Sequence, residues 1–282
     1  MPSDDNQVQA PPRWSLADLY ASPEDLHNSG DVAEIEDTVA QIDAMRSQLS
    51  TDMPTESFLM VFRWYEHLVR LARRISRYAY LLHKQDARDQ FAQDLLTELT
   101  DLVNRAYGRT VFLELWWVNL DNPVAESFLA RAGDLVPYLE KCRRLRHQYM
   151  SETDEVNALQ RGPARMNVLS ASYHHLTAEL TFDLDLDGNP VTLNSQQIAN
   201  LQSHPDARIR ELAHREYFRT YATHADEIGA IHREIVLSWV DEHVGQRDHP
   251  DSWTAFASLH EVPRGVLDGM LDVCQENTEL YQ

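Results

Sequence analysis

Only two cysteines, Cys142 and Cys274, occur in the 282 residues, and they belong to no Cys-x-x-Cys pair. A disulfide framework and a thiolate metal site are thereby excluded, and the two fit ordinary thiols in a reducing compartment. Positive charge is also scarce. Against 45 Asp and Glu stand 25 Lys and Arg, which leaves a formal net charge of −20. Such a chain repels nucleic acid and anionic membrane surfaces, so a nucleic-acid partner is not expected. Acidity of this size serves solubility, and beyond that it suits a cationic or peptidic ligand.

No stretch approaches 18 apolar residues, and the start, MPSDDNQVQAPPRW, has neither the basic nor the apolar region of a signal peptide. The expectation is a cytoplasmic chain with no membrane partner. A Gly-rich phosphate loop, a Gly-x-Ser-x-Gly elbow and a Cys-His constellation are missing too. Neither an internal repeat nor a low-complexity tract is present.

What is there reads as a folded, mostly helical protein. Hydrophobic residues make up 43% and charged residues 25%, ordinary for a globular chain, and the length suits two or three packed units. After a polar arm over 1–12, Phe58, Val61, Tyr65, Leu68, Ala72, Ile75, Ala79 and Leu82 recur at steps of three and four, which predicts one stripe of a long helix. Phe91, Leu95, Leu99, Leu102 and Ala106 repeat the pattern, so an antiparallel partner is expected. Arg63, Arg70, Arg74 and Arg77 flank the first stripe and Asp94, Glu98 and Asp101 the second, which predicts interhelical ion pairs.

The segment FLELWWVNLDNP ends in a breaker, Ser151 is read as an N-cap, and Gly162-Pro163 predicts an interruption before helix resumes. Leu180, Phe182, Leu184 and Leu186 then alternate with Thr181, Asp183, Asp185 and Asp187 before a DGNP turn, the pattern of a hairpin with one acidic face. Ser195 is read as the cap of a short helix. From about Asp206 an apolar series through Ile209, Ala213, Tyr217, Tyr221, Ile228, Ile231, Ile235 and Trp239 predicts one helix of some ten turns.

Several fragments imitate metal sites. Asp183-Leu-Asp-Leu-Asp-Gly188 matches the first half of a calcium loop, but Pro190 and Asn194 occupy positions where such a loop fails. His224 and His232 are separated by about 12 Å of helix at about 1.5 Å per residue, too far to share one ion, and with His243 they are read as packed, hydrogen-bonded histidines on or beside the apolar face. Glu211-Leu-Ala-His214 and Glu24-Asp-Leu-His27 have Glu-x-x-His spacing without the facing glutamates of a di-iron bundle. His260-Glu261-Val262-Pro263-Arg264 comes within one residue of His-Glu-x-x-His. Its fifth position, however, cannot ligate, and Pro263 predicts a helix beginning there, with His260-Glu261 in the loop before it. No catalytic, cofactor-binding or metal residue is therefore assigned.

The succession of segments is more telling than any one of them. WSLADLY with Trp14, Leu16, Asp18, Leu19 and Tyr20, then FRWYEHLVRLARRISRYAYLLHKQDARD, FLELWWVNLDN, YLEKCRRLRHQYMSETDEVNAL and LTFDLDLDGNPVTL follow in order. After them come the long helical stretch with Arg210 and Ala213, and VPRGVLDGMLDVCQENTELYQ. In that order they resemble the N-terminal half of the oligoendopeptidase F family, among the thimet-oligopeptidase-like zinc metallopeptidases. The pattern departs at Ser151-Glu152-Thr153-Asp154-Glu155, at Met166 and Asn167, and at Arg247-Asp248-His249.

The resemblance implies a mainly α, multi-helix lobe with one small β-hairpin, truncated before the zinc-binding half of the family fold. It partitions the chain into an N-terminal helical unit over 13–112, a helical domain over 113–186 and the start of a metallopeptidase catalytic domain over 187–282. It further implies a zinc metalloendopeptidase that hydrolyses short peptides, with this lobe walling the substrate channel. Zinc, its His-Glu-x-x-His helix and the transition-state-stabilising His and Tyr belong to the C-terminal half, so this chain alone is expected to be inactive and to hold no cofactor. The helical pattern runs to Gln282 without a Gly cap, which adds to the expectation of truncation; a separately encoded C-terminal half is the partner such a lobe would call for. The alternative is a non-catalytic helical binding or scaffold protein.

Overall fold

The computed structural model describes residues 15–86, 89–186 and 188–281. The polar arm, Trp14 and Asp187 lie outside them. In chain order the helices are α1 (Pro23–Asn28), α2 (Asp31–Ala44), α3 (Thr55–Gln85), α4 (Gln90–Asn119), α5 (Asn122–Leu129), α6 (Val136–Arg144) and α7 (Glu152–Ala178). The hairpin β1 (Thr181–Leu186) and β2 (Asn189–Asn194) follows, then α8 (Ser195–Leu201), α9 (Ala207–Thr223), α10 (Ala225–Val240), α11 (Ser252–Leu259) and α12 (Arg264–Glu276). The chain divides into two compact units, with the division after Gln160, inside α7.

In the first unit α3 is the spine. Phe58, Val61, Tyr65, Leu68, Ala72, Ile75 and Ala79, all predicted by spacing, are buried on one face of it. That face packs on α2 and α4, which also meet each other. Where α3 begins, aromatic rings interlock: Phe58 stacks on Phe128 with centroids 4.4 Å apart and lies 5.4 Å from Trp117. Trp117 donates its indole N–H to Leu139 O at 2.9 Å, so the one polar atom of a fully buried ring is satisfied. Arg143 of α6 closes the end of α4 by donating to Trp117 O at 3.0 Å and Leu120 O at 2.9 Å. A cation on those carbonyls satisfies groups that every helix end leaves open.

The second stripe differs in detail. Leu99, Leu102 and Ala106 are buried, but Phe91 stands in the first turn of α4 beside its Asp89 cap and is 56% exposed. The expected ion pairs between the two stripes give way to other partners. Arg63 pairs with Glu66 and Asp134, Arg70 with Glu66 at 3.7 Å, and Arg74 with Asp31 at 3.2 Å. These acids lie within side-chain reach along α3 itself, on α2, and on the loop before α6.

In the second unit, Leu180, just before β1, and Phe182 and Leu184 of β1 pack with Ile198 of α8 and Ala213 and Tyr217 of α9 into a small core. The strands pair antiparallel with Asp183 opposite Thr192, and Gly188 turns the chain at a positive φ of 82° that other residues rarely adopt. The cap of α8 is Asn194 rather than Ser195. Asn194 Oδ1 accepts from Gln197 N, and Gln197 Oε1 accepts from Asn194 N, both at 2.9 Å. This reciprocal pair satisfies two orphan donors where a serine one residue on would satisfy one.

Two breaks are also relocated. Helix α7 continues through Gly162-Pro163, because one proline removes a single hydrogen bond and a helix of 27 residues absorbs that loss. The series after Asp206 divides at His224 (φ −113°, ψ 16°), which closes α9 and opens α10. Asp226 and Glu227 fill the first turn of α10, the position where acids favour a helix start.

Phe58→Ala is expected to lower stability by about 3–5 kcal/mol, since it opens a cavity among the Phe62, Trp116, Trp117 and Phe128 rings. The exposed Phe91→Ala should stay within about 0.5 kcal/mol of the parent. Urea unfolding of the two variants checks the contrast.

Candidate functional site

The residues that imitate metal sites are held apart and committed to structural work. Thr192 Oγ1 donates to Asp183 Oδ1 at 2.6 Å across the hairpin, and Gly188 N donates to Asp185 Oδ1 at 2.6 Å within its turn. Both carboxylates stabilise β1 and β2. His224 faces Glu227 at 3.0 Å, Glu211 pairs with Arg215 at 2.7 Å, and His214 packs edge-on against Phe218. Glu24 sits in the first turn of α1 and His27 in its last, both exposed.

The His260–Arg264 segment is a loop followed by a helix, as the proline predicts. His260 ends α11, Glu261 takes a positive φ of 56°, and α12 starts at Arg264. His260 lies tilted against Phe256 with centroids 4.2 Å apart. Arg264, standing where a zinc helix carries its second histidine, is a clamp between helices. Its Nη1 donates to Asp251 Oδ1 and Thr254 Oγ1, each at 2.9 Å, and its Nε to Asp268 Oδ1 at 2.8 Å. Asp251 is itself the cap of α11, accepting from Thr254 N at 2.7 Å, and that backbone bond first, then the arginine, holds its carboxyl below the usual range.

Two arrangements escaped the sequence reading, a π segment that leaves His243 Nδ1 without the expected hydrogen bond among the described residues and a cluster around Glu114. After α10 the helix widens into a π segment over Asp241–Gln246 that buries His243 against Trp239, centroids 4.6 Å apart. Burial pushes the imidazole pKa down, and its Nδ1 has no hydrogen-bond partner among the described residues. A π turn costs hydrogen-bond geometry and often marks a specialised site, yet nothing in periodicity distinguishes it from α-helix.

The second group lies inside the first unit, where Glu114 Oε1 accepts from Tyr65 OH at 2.8 Å and from Tyr138 OH. Desolvation, then the neighbouring Glu114 carboxylate, pushes the Tyr65 phenol well up. Burial does the same to the nearby Cys142 thiol.

Among the described residues no group of three or more His, Cys, Asp or Glu could hold a metal ion. The described donors therefore assemble no zinc centre, and no chemical step is assigned to one. What α9 and α10 do offer is a shallow groove of about 420 Å³ lined by Phe218, Tyr221, Ile228, Gly229 and His232. Its walls are apolar, with one imidazole.

Arg264→His restores the letters of His-Glu-x-x-His, but Pro263 and the positive φ of Glu261 keep the two histidines off a common helical face. The variant is expected to bind zinc no better than the parent in calorimetric titration. Stoichiometric zinc binding that requires both His260 and the new side chain would contradict this.

No family profile and no curated protein matches the chain. Among solved structures, the chain is similar to oligoendopeptidase-F from Enterococcus faecium, with a TM-score of 0.75 and 17% sequence identity, over 91% of this chain and 51% of that one. It is also similar to a protein from Chlamydophila abortus provisionally assigned as a peptidase. There the TM-score is 0.62 and the identity 20%, over 95% of this chain and 45% of that one. The chain spans about half the length of these two proteins. No helix among the described residues is long and apolar enough to cross a membrane. At such identities the likeness establishes the fold, a mainly helical one with a single hairpin, and its coverage fits the N-terminal half of the oligoendopeptidase-F structure.

Proposed function

We propose that this chain is the N-terminal, channel-walling lobe of an oligoendopeptidase F-like zinc metalloendopeptidase acting on short peptides. The observation that carries the reading is the fold likeness to oligoendopeptidase-F, which extends over 91% of this chain. In this reading 13–112 and 113–186 are its two helical domains, and 187–282 begins the catalytic domain. The apolar groove between α9 and α10 supports the reading, because uncharged peptide side chains are taken up by apolar walls such as exposed Phe218 and half-buried Tyr221 and Ile228 rather than by charge.

Zinc and its ligands belong, in this proposal, to a C-terminal half that completes the enzyme in the cytoplasm. The lobe contributes binding and restriction of substrate length. A positioning surface of this kind raises the effective concentration of peptide without taking part in bond cleavage.

The purified chain is expected to bind neutral fluorogenic oligopeptides weakly, short ones in preference to long, without cleaving them. Anisotropy and fluorescence release measure the two properties together. Chelator-sensitive turnover that survives purification would overturn the inactivity of the lobe. Absence of any peptide binding would favour a scaffold instead.

A further inference from the structure

The arginines that fail to pair between the stripes of α3 and α4 form a surface of their own. Arg70, Arg73, Arg74 and Arg77 recur at i, i+3, i+4 and i+7, so they lie on one face of α3. Together with Leu19, Tyr80, Val103 and Tyr107 they line an open concavity of about 800 Å³ in the first unit. One turn beyond, Lys84 Nζ lies 5.5 Å over the Tyr80 ring and continues the cationic line. Arg70 to Lys84 spans about 21 Å of helix at about 1.5 Å per residue.

Only part of this charge is neutralised from within. Arg74 donates to Asp31 and to Leu19 O and lies 4.4 Å over the Tyr20 ring, so it is anchored. Arg70 has Glu66 at 3.7 Å, a loose contact for a side chain 71% exposed. Among the described residues, Arg73 and Arg77 have no carboxylate within ion-pair distance. Two guanidinium groups without a carboxylate partner on one helix face stand out in a chain with a net charge of −20. They are the local inverse of the molecule's field.

We infer that this face of α3 docks an acidic polypeptide segment of a partner protein, with its carboxylates on Arg70, Arg73 and Arg77 and its apolar side chains against Tyr80 and Tyr107. Guanidinium groups take carboxylates in bidentate pairs, and the flanking rings and Leu19 supply apolar contact of the kind that polypeptide side chains use. A nucleic acid fits less well. Its phosphates need a cationic track extending past the site, whereas this one is bounded by Glu66 and Asp31 and set in an acidic molecule. The surface is independent of the peptidase reading, since it lies in the first unit and needs neither zinc nor the α9–α10 groove.

Fluorescence anisotropy of labelled hexaglutamate with blocked termini, titrated with the whole chain at low salt, tests the inference. Saturable binding is expected, weakened about five- to ten-fold in Arg73→Gln/Arg77→Gln and screened away at high salt. Arg215→Gln/Arg233→Gln, an equal charge change on α9 and α10, should leave it unchanged. Circular dichroism confirms folding, and Arg70→Gln/Arg77→Gln serves as a second variant of the same face. The inference is overturned by no binding, by equal losses in the two charge-matched pairs, or by tighter binding of an oligonucleotide of the same charge through the same arginines.

Discussion

Everything in the first unit is registered by the apolar stripe along α3. A helix of 31 residues cannot be held by propensity alone; it needs a continuous buried face, and the three-four spacing from Phe58 to Ala79 supplies one. Helices α2 and α4 take their positions from that face. The rings at its start then fix α5 and α6, through Phe128 and through the Trp117 indole on Leu139 O. Polar groups follow the same plan: Glu114 gathers Tyr65 of α3 and Tyr138 of α6, so this acid accepts from both helices.

The second unit is built on a smaller scale. Its buried cluster comprises Leu180, Phe182, Leu184, Ile198 and Ala213, whereas large apolar residues of α10, α11 and α12 remain exposed, Leu237 at 52%, Leu259 at 52% and Val266 at 59% among them. Exposed apolar area on this scale is what an interaction surface displays. It accords with a fold that accounts for about half of the solved chains it resembles. Chemistry-bearing residues in this unit, such as Asp183, Asp251 and Arg264, serve turns, caps and helix clamps, and the apolar groove is what remains for a ligand.

The sequence made the α3 stripe legible because burial there is one-sided and long, and the hairpin legible because period two is unambiguous over Leu180 to Leu186. Pro263 was readable for the same kind of reason: a proline leaves few conformations open. Other features needed tertiary information. Asn194 and Ser195 are both good caps in isolation, and only the partner Gln197 decides between them. The break at His224 was foreshadowed by Asp226 and Glu227, a signal weaker than the apolar period running across it. The π segment around His243 and the partners of Arg70 and Arg74 have no local signature, since they depend on which elements come near. The arginine face is therefore visible only once the predicted ion pairs are seen to be absent.

Native-state hydrogen exchange is the most direct measure of this division of labour. Amides of α3 between Phe58 and Ala79 should exchange only through global unfolding of their unit, whereas those of α10 and α12 should open at a much lower free energy. Equal protection of α3, α10 and α12 would contradict the account, for it would mean that the exposed helices are stabilised as fully as the spine they lack.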